Sequence, residues 1–130
     1  MFDIVLVDAP CSGSGTWRRS PELKWRLTPG RLRELTALQA QLIDEGGRHT
    51  KAGGRLVYVT CSLLACENED ICTAFLERSS PGFRIVPVVD AWRDAHLPQA
   101  PKGVGEYFRT SPYRTATDGF FACIMAKPVE

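Results

Sequence analysis

The stretch Leu56-Val57-Tyr58-Val59-Thr60-Cys61-Ser62-Leu63-Leu64 changes character in its middle. Leu56 to Val59 are β-formers and follow a turn signal, Lys51-Ala52-Gly53-Gly54, so they read as a buried strand. At Thr60 the aliphatic run gives way to small polar residues, which puts Cys61 at the strand's carboxyl end. Open α/β sheets place their chemistry at such ends. Taken alone, Cys61 fits a core thiol just as well, because free cysteine is among the most buried residue types.

A second stretch tips the balance. Phe2-Asp3-Ile4-Val5-Leu6-Val7 is another apolar run of strand length, and it ends in Asp8-Ala9-Pro10-Cys11-Ser12-Gly13-Ser14-Gly15. Two strands therefore each deliver a cysteine at the carboxyl end, and one adds a carboxylate and a glycine-rich turn. If the strands are parallel neighbours, Asp8, Cys11 and Cys61 converge on one crevice. Pro10 stiffens the turn and removes a backbone donor. The glycines permit close approach of a ligand.

These two cysteine stretches, Asp-Ala-Pro-Cys-Ser-Gly-Ser-Gly and Tyr-Val-Thr-Cys-Ser, resemble the paired motifs of the Sun/Fmu-like (Nol/Nop/Sun) RNA (cytosine-5)-methyltransferases. Arg18-Arg19-Ser20-Pro21-Glu22-Leu23-Lys24-Trp25, Leu38-Gln39, Glu67-Asn68-Glu69 and Asp118-Gly119-Phe120-Phe121 resemble further landmarks in the family's order. The resemblance implies an S-adenosylmethionine-dependent enzyme acting on RNA, with ribosomal RNA as the expected partner. It implies Cys61 as the nucleophile that attacks carbon 6 of cytosine and Cys11 as the residue that assists release. It assigns Asp8 to the methyl donor and the target base, and Pro10, Lys24, Arg109 and Asp118 to the site; Arg18 and Arg19 are expected on the RNA as part of a basic segment. One position departs: the histidine often found after the proline equivalent to Pro112 is Tyr113 here.

The implied architecture is the carboxyl-terminal half of a Rossmann-like methyltransferase fold, an α/β mixed sheet with flanking helices. Residues 1–130 would form one partial catalytic domain holding the fourth to seventh strands of a seven-stranded sheet. The expected arrangement is three-layered, with the first two strands parallel and Phe120 to Ala126 antiparallel to a neighbour. The cofactor-binding first half is expected to be absent, because no glycine-rich turn and ribose-binding acid precede Phe2. Gly13 and Gly15 belong to the cysteine loop and do not replace that turn. The strand Phe2 to Val7 would then expose an apolar edge, to be covered by self-association or by a partner chain.

Composition agrees with one small domain: 130 residues, 44% hydrophobic, 24% charged. No apolar run reaches membrane-span length and no signal peptide is seen, so a soluble cytoplasmic protein without membrane contact is expected. Five cysteines, an odd number with no C-x-x-C spacing, argue against a disulfide framework and against a metal site. Cys66, Cys72 and Cys123 read as packing residues. Neither His49 nor His96 sits in a recognisable motif, which disfavours a cysteine hydrolase. Six residues separate Cys11 from Arg18, one too many for a cysteine-phosphatase loop.

Net charge is only +1, but its distribution is uneven. Nine basic residues face four acids between Trp17 and Arg55, interleaved with Trp17 and Trp25. Cations with aromatics beside a crevice suit phosphates and a stacked base, while a solvated helix face accounts for the same pattern. Cys11 to Leu27 reads as a long polar connection. Thr28-Pro29 then starts a helix by cap and first-turn proline, with Leu32, Leu35, Leu38, Leu42 and Ile43 at helical spacing. A second helix is expected from about Glu67 to Arg78, with Glu67 and Glu69 at its positive end. Phe83 to Val89 reads as a third strand, in which Pro87 suggests an edge position. Asp90 to Thr117 reads as mostly loop with a short strand at Tyr107 to Thr110, and Phe120 to Ala126 as the last strand. The competing functional reading is a non-catalytic RNA-binding or structural fragment that needs a partner chain for activity.

Overall fold

A computed structural model describes residues 1–129. Strand β1 (Phe2–Asp8) pairs in parallel with β2 (Thr50–Thr60), placing Asp8 opposite Val59. The last strand, β5 (Phe120–Ala126), lies antiparallel to β2, so that Thr60 faces Phe121. Two short strands, β3 (Arg84–Val86) and β4 (Phe108–Thr110), also pair antiparallel with β5. The sheet order is β1-β2-β5-β3, with β4 beside β5 off that path. The result is a mixed α/β sheet with flanking helices, as the resemblance implies. The parallel first pair and the antiparallel last strand both agree with the expected arrangement.

The crossover from β1 to β2 contains α1 (Glu22–Arg26) and α2 (Pro29–His49). Helix α2 starts where expected: the Thr28 hydroxyl accepts from the Arg31 N–H, and Pro29 occupies the first turn. Its buried face is Leu35, Gln39, Ile43, Gly46 and Gly47, while Leu38 stays exposed. The Gly46-Gly47 pair, an unfavourable choice inside a helix, is explained by closeness to the sheet. A Cβ on Gly46 would lie 2.7 Å from Val7 and 2.8 Å from Leu56, and one on Gly47 would lie 2.9 Å from the Phe75 ring. Helix α3 (Glu69–Arg78) packs beside α2, and its Ile71, Cys72 and Phe75 join Val7, Leu56, Tyr58, Cys123 and Met125 in the core.

Several expectations need correction. Lys51-Ala52-Gly53-Gly54 is not a turn before β2 but an irregular first part of it. The pairing register jumps there, from Phe2 opposite Thr50 to Ile4 opposite Arg55. The strand expected at Phe83 to Val89 covers only Arg84–Val86, because Pro87 ends it and Val88–Asp94 turns into helix α4. A short α5 (Pro112–Thr115), capped by Ser111, also falls in the stretch read as loop. The sheet is not three-layered at β1. Helix α2 covers the Val5 and Val7 face, whereas Phe2, Ile4 and Leu6 on the opposite face are 61%, 66% and 64% exposed. Strand β1 is also an edge of the sheet.

Candidate active site

Both cysteines stand where their strands end. Ala9 N–H donates to the Val59 carbonyl, which keeps the two chain segments in step beyond the last strand pair. Cys11 and Cys61 then face each other with 3.3 Å between their sulfurs, in a half-buried position. The hydrogen bond from Cys11, aided by a backbone donor, holds the Cys61 thiol down at about 7, against burial and the charges of Asp8 and Glu67. Cys11, as the donor to Cys61 and itself desolvated, is pushed well above the ordinary thiol range. The pair thus contains one sulfur that ionises near neutrality and one that keeps its proton.

The loop after Cys11 is not the solvated connection its composition suggests. Ser12, Gly13, Ser14, Gly15 and Thr16 are all buried, the last three in a short 3-10 turn. Ser14 pairs with the Ser62 hydroxyl and accepts from the Leu63 N–H, Thr16 donates to the Gly13 carbonyl, and Ser12 finds its partner in Glu67, which is fully buried instead of standing at a helix's solvated end. Glu67 Oε1 accepts from the Ser12 N–H at 2.8 Å and from Gln39 Nε2 at 3.2 Å. Its Oε2 accepts from the Ser12 hydroxyl at 2.7 Å and from the Ser62 hydroxyl. Tyr58 donates its phenol to the Glu67 carbonyl at 2.6 Å. Asn68 continues the clamp, accepting from Thr60 at 2.5 Å and donating to the Ser62 carbonyl at 2.8 Å. The residue after each cysteine is thereby tied to the same carboxylate. The sequence marks Gln39, Glu67 and Asn68 as landmarks without a task. The signal that could have found them is a serine following each cysteine, since both need a buried acceptor if those loops pack.

A third segment closes over the loop. Gly15 N–H donates to the Cys61 carbonyl at 2.9 Å, and Gly119 N–H donates to the Gly15 carbonyl at 2.7 Å. Beside this contact Arg19 and Asp118 form an ion pair at 2.8 Å, which raises the Arg19 pKa. Phe121, two residues further on, is buried in the core under the Arg109 guanidinium, 5.2 Å from its ring centre. Arg109 also pairs with Glu69 at 3.0 Å.

The expected site residues therefore divide. Cys11 and Cys61 come together, and Asp8 is exposed at the end of β1 within electrostatic reach of Cys61. Pro10 is exposed, and its carbonyl accepts from Gln39 at 2.8 Å. Arg19 and Asp118 face each other. Arg18 and Lys24 are exposed and make no ion pair among the described residues. Trp25 is 83% exposed, but Trp17 is anchored by its indole N–H to the Ser12 carbonyl. Cys72 and Cys123 are fully buried, as packing residues should be, whereas Cys66 is only half-buried. His49 and His96 are exposed, and His49 pairs with Glu45. Among the described residues no cluster of metal-ligating side chains occurs and no helix is long and apolar enough to cross a membrane.

The model of one family, 16S rRNA methyltransferase RsmB/F, matches residues 1–126. The chain belongs to this family. Ribosomal RNA small subunit methyltransferase B of Serratia proteamaculans is 36% identical over 126 residues, covering 97% of this chain and 26% of the relative. The crystal structure of PH0851 superposes with a TM-score of 0.79 at 39% identity, covering 95% of this chain and 26% of the other. NSun6 from Pyrococcus horikoshii, crystallised with SFG, gives a TM-score of 0.72 at 25% identity, over 96% of this chain and 30% of the other. The chain spans about a quarter of the length of the curated relatives it matches.

Proposed function

We propose that this chain carries the two-cysteine part of an S-adenosylmethionine-dependent RNA cytosine-5 methyltransferase acting on ribosomal RNA. The observation that supports it most is the 3.3 Å approach of two unlike thiols at the ends of parallel neighbouring strands. Carbon 5 of cytosine is a poor nucleophile. The Cys61 thiolate adds to carbon 6, and the electron pair this releases makes carbon 5 enamine-like. S-adenosylmethionine, when bound, supplies the methyl group that carbon 5 takes up. The carbon 5 proton then leaves to a base, its electron pair restores the ring double bond, and Cys61 is expelled. Cys11, which holds its proton beside Cys61, assists that departure. The target base must be unstacked to reach the crevice.

Asp8, exposed beside the thiol pair, suits the cationic donor and the base. Gly13 and Gly15 do not cradle a cofactor, since they pack on Leu23 and Gly119. The remaining contacts to the donor belong to the part of the fold that this chain does not span. We read the bare face and edge of β1 as the surface such a part, a partner chain or a second copy covers. On its own the chain then transfers no methyl group and self-associates.

The test is a chimera in which this chain replaces its counterpart in the Serratia relative, challenged with RNA containing 5-azacytosine. The covalent adduct is expected at Cys61, and Cys11→Ser is expected to accumulate adduct on a denaturing gel. An adduct mapped to Cys11 with Cys61 free overturns the assignment. Methyl transfer by the 130-residue chain alone, or a monodisperse monomer in sedimentation, contradicts the reading of β1.

RNA phosphates are proposed to run along the basic segment from Trp17 to Arg55, in which Arg18, Arg19 and Lys24 are exposed and Arg26 and Arg31 line a cavity with Cys11. Reversing charge at Arg18 and Arg19 in the chimera is expected to weaken binding and reduce the salt slope by ~1–2 in log–log terms. A slope equal to the parent's moves the contact elsewhere.

A further inference from the structure

We infer that Glu67 is a positioning residue for the thiol pair: its buried carboxylate ties the loop after Cys11 to the loop after Cys61 and so sets the approach of the two sulfurs. Ser12 and Ser62 each immediately follow a cysteine, and both hydroxyls donate to the same oxygen, Oε2. The other oxygen takes the Ser12 backbone N–H and the Gln39 amide, which in turn holds the Pro10 carbonyl just before Cys11. Glu67 is thus joined to the chain on both sides of Cys11 and directly after Cys61. It touches neither sulfur in this network, so it acts through the loops. Four donors and, among the described residues, no ion-pair partner surround it, a setting that uses the carboxylate as acceptor only. A buried carboxylate without its donors would be costly, so the network orders all its members together.

This inference goes beyond the assignment of Cys61 as nucleophile, and it is tested without RNA, so either can fail alone. The charged and titratable groups bearing on Cys61 are Cys11, Asp8, Glu67 and, from the loop after Cys11, Arg19. Glu67 opposes ionisation of Cys61 by its charge. Deleting that charge without moving the loops would therefore lower the alkylation midpoint. Separation of the loops instead raises it, because the Cys11 hydrogen bond is the largest influence holding it down. The sign of the change separates positioning from electrostatics.

The experiment compares Glu67→Ala and Glu67→Gln in the 130-residue chain. The pH midpoint of Cys61 alkylation is read by peptide mass spectrometry. Bridging of Cys11 to Cys61 is read with dibromobimane, and folding by circular dichroism. Glutamine can keep the loops together, because the two serine hydroxyls can turn to accept from its amide. Glu67→Gln is expected to bridge within about twofold of the parent, with a midpoint no higher than about 7. Glu67→Ala is expected to bridge more than tenfold more slowly, with a midpoint moved toward the free-thiol value of about 8.5. A folded Glu67→Ala protein with parental midpoint and bridging overturns the inference. If Glu67→Ala does not fold, the double variant Ser12→Ala and Ser62→Ala replaces it. That variant removes both hydroxyl arms and keeps the carboxylate, and the same two outcomes apply.

Discussion

Replacing Cys11 with alanine is expected to move the pH midpoint of Cys61 alkylation from about 7 toward about 8.5, the free-thiol value. The hydrogen bond from Cys11 is the largest influence lowering Cys61, while burial, Asp8 and Glu67 all act the other way. Once the donor is gone, the opposing influences remain. At pH 6 the thiolate fraction would fall from roughly one in ten to roughly one in three hundred. A more basic thiolate is also the better nucleophile, which offsets about fivefold of that loss for a Brønsted slope near 0.45. The two effects leave alkylation about sixfold slower at pH 6 and about fivefold faster at pH 10. The rate profiles of parent and variant should therefore cross. Iodoacetamide labelling of Cys61 from pH 5 to 10 checks this, with Cys61→Ala as the blank. Profiles that do not cross would mean that something other than Cys11 holds Cys61 near neutrality.

That prediction rests on two residues whose meeting is legible in the amino-acid sequence. Both strands that end at the cysteines and the Thr28 cap follow from local rules, an apolar run and a capping residue, while the parallel pairing follows from the family resemblance. The family resemblance supplies the rest of the sheet's character. What stays hidden depends on partners far away in the chain. Ser12 and Ser14 read as loop because the partners that let them be buried lie far on, Glu67 55 residues beyond Ser12 and Ser62 48 beyond Ser14. Glu67 in turn reads as a helix-end charge, since a carboxylate before a helix usually is one. Gly46 and Gly47 look like weak points of α2, and only the nearness of Val7, Leu56 and Phe75 gives them a reason. Pro87 suggests an edge strand and instead ends it. The insertion of β5 between β2 and β3 is a tertiary choice that no single strand announces.

The division of labour in the site follows from these distances. Hydrophobic packing fixes the strands, but it ends at Ala9 and Tyr58, short of the cysteines. Beyond that point the chain is held by polar groups, and these are directional where apolar contacts are not. Three separate segments meet there: the loop after β1, the loop after β2, and the Asp118-Gly119 approach to β5. The sulfurs inherit their spacing from that meeting. Disturbing any one segment should then be felt at the other two.

Alanine at Gly15 is the sharpest such disturbance, and it is expected to destabilise the chain by about 3 kcal/mol, lowering the melting temperature by roughly 10 °C. A Cβ on Gly15 would sit 2.7 Å from both the carbonyl carbon and the Cα of Gly119, with the carbonyl oxygen closer still. These are backbone atoms, which cannot swing aside as a side chain can. The Asp118-Gly119 segment must move away, and its hydrogen bond to the Gly15 carbonyl goes with it. The Arg19–Asp118 pair is exposed and adds little to stability, but its separation reports the movement. Leu63 packs on Gly119 together with Gly15, and the buried Phe121 lies two residues further along the chain, so the displacement reaches the core edge. Gly105 provides the control. A Cβ on Gly105 would meet no atom within 4 Å, so alanine there should change stability by no more than ~0.5 kcal/mol. Thermal melts of the two variants decide the matter: if Gly15→Ala melts with Gly105→Ala and the parent, the three segments are not locked together at this point.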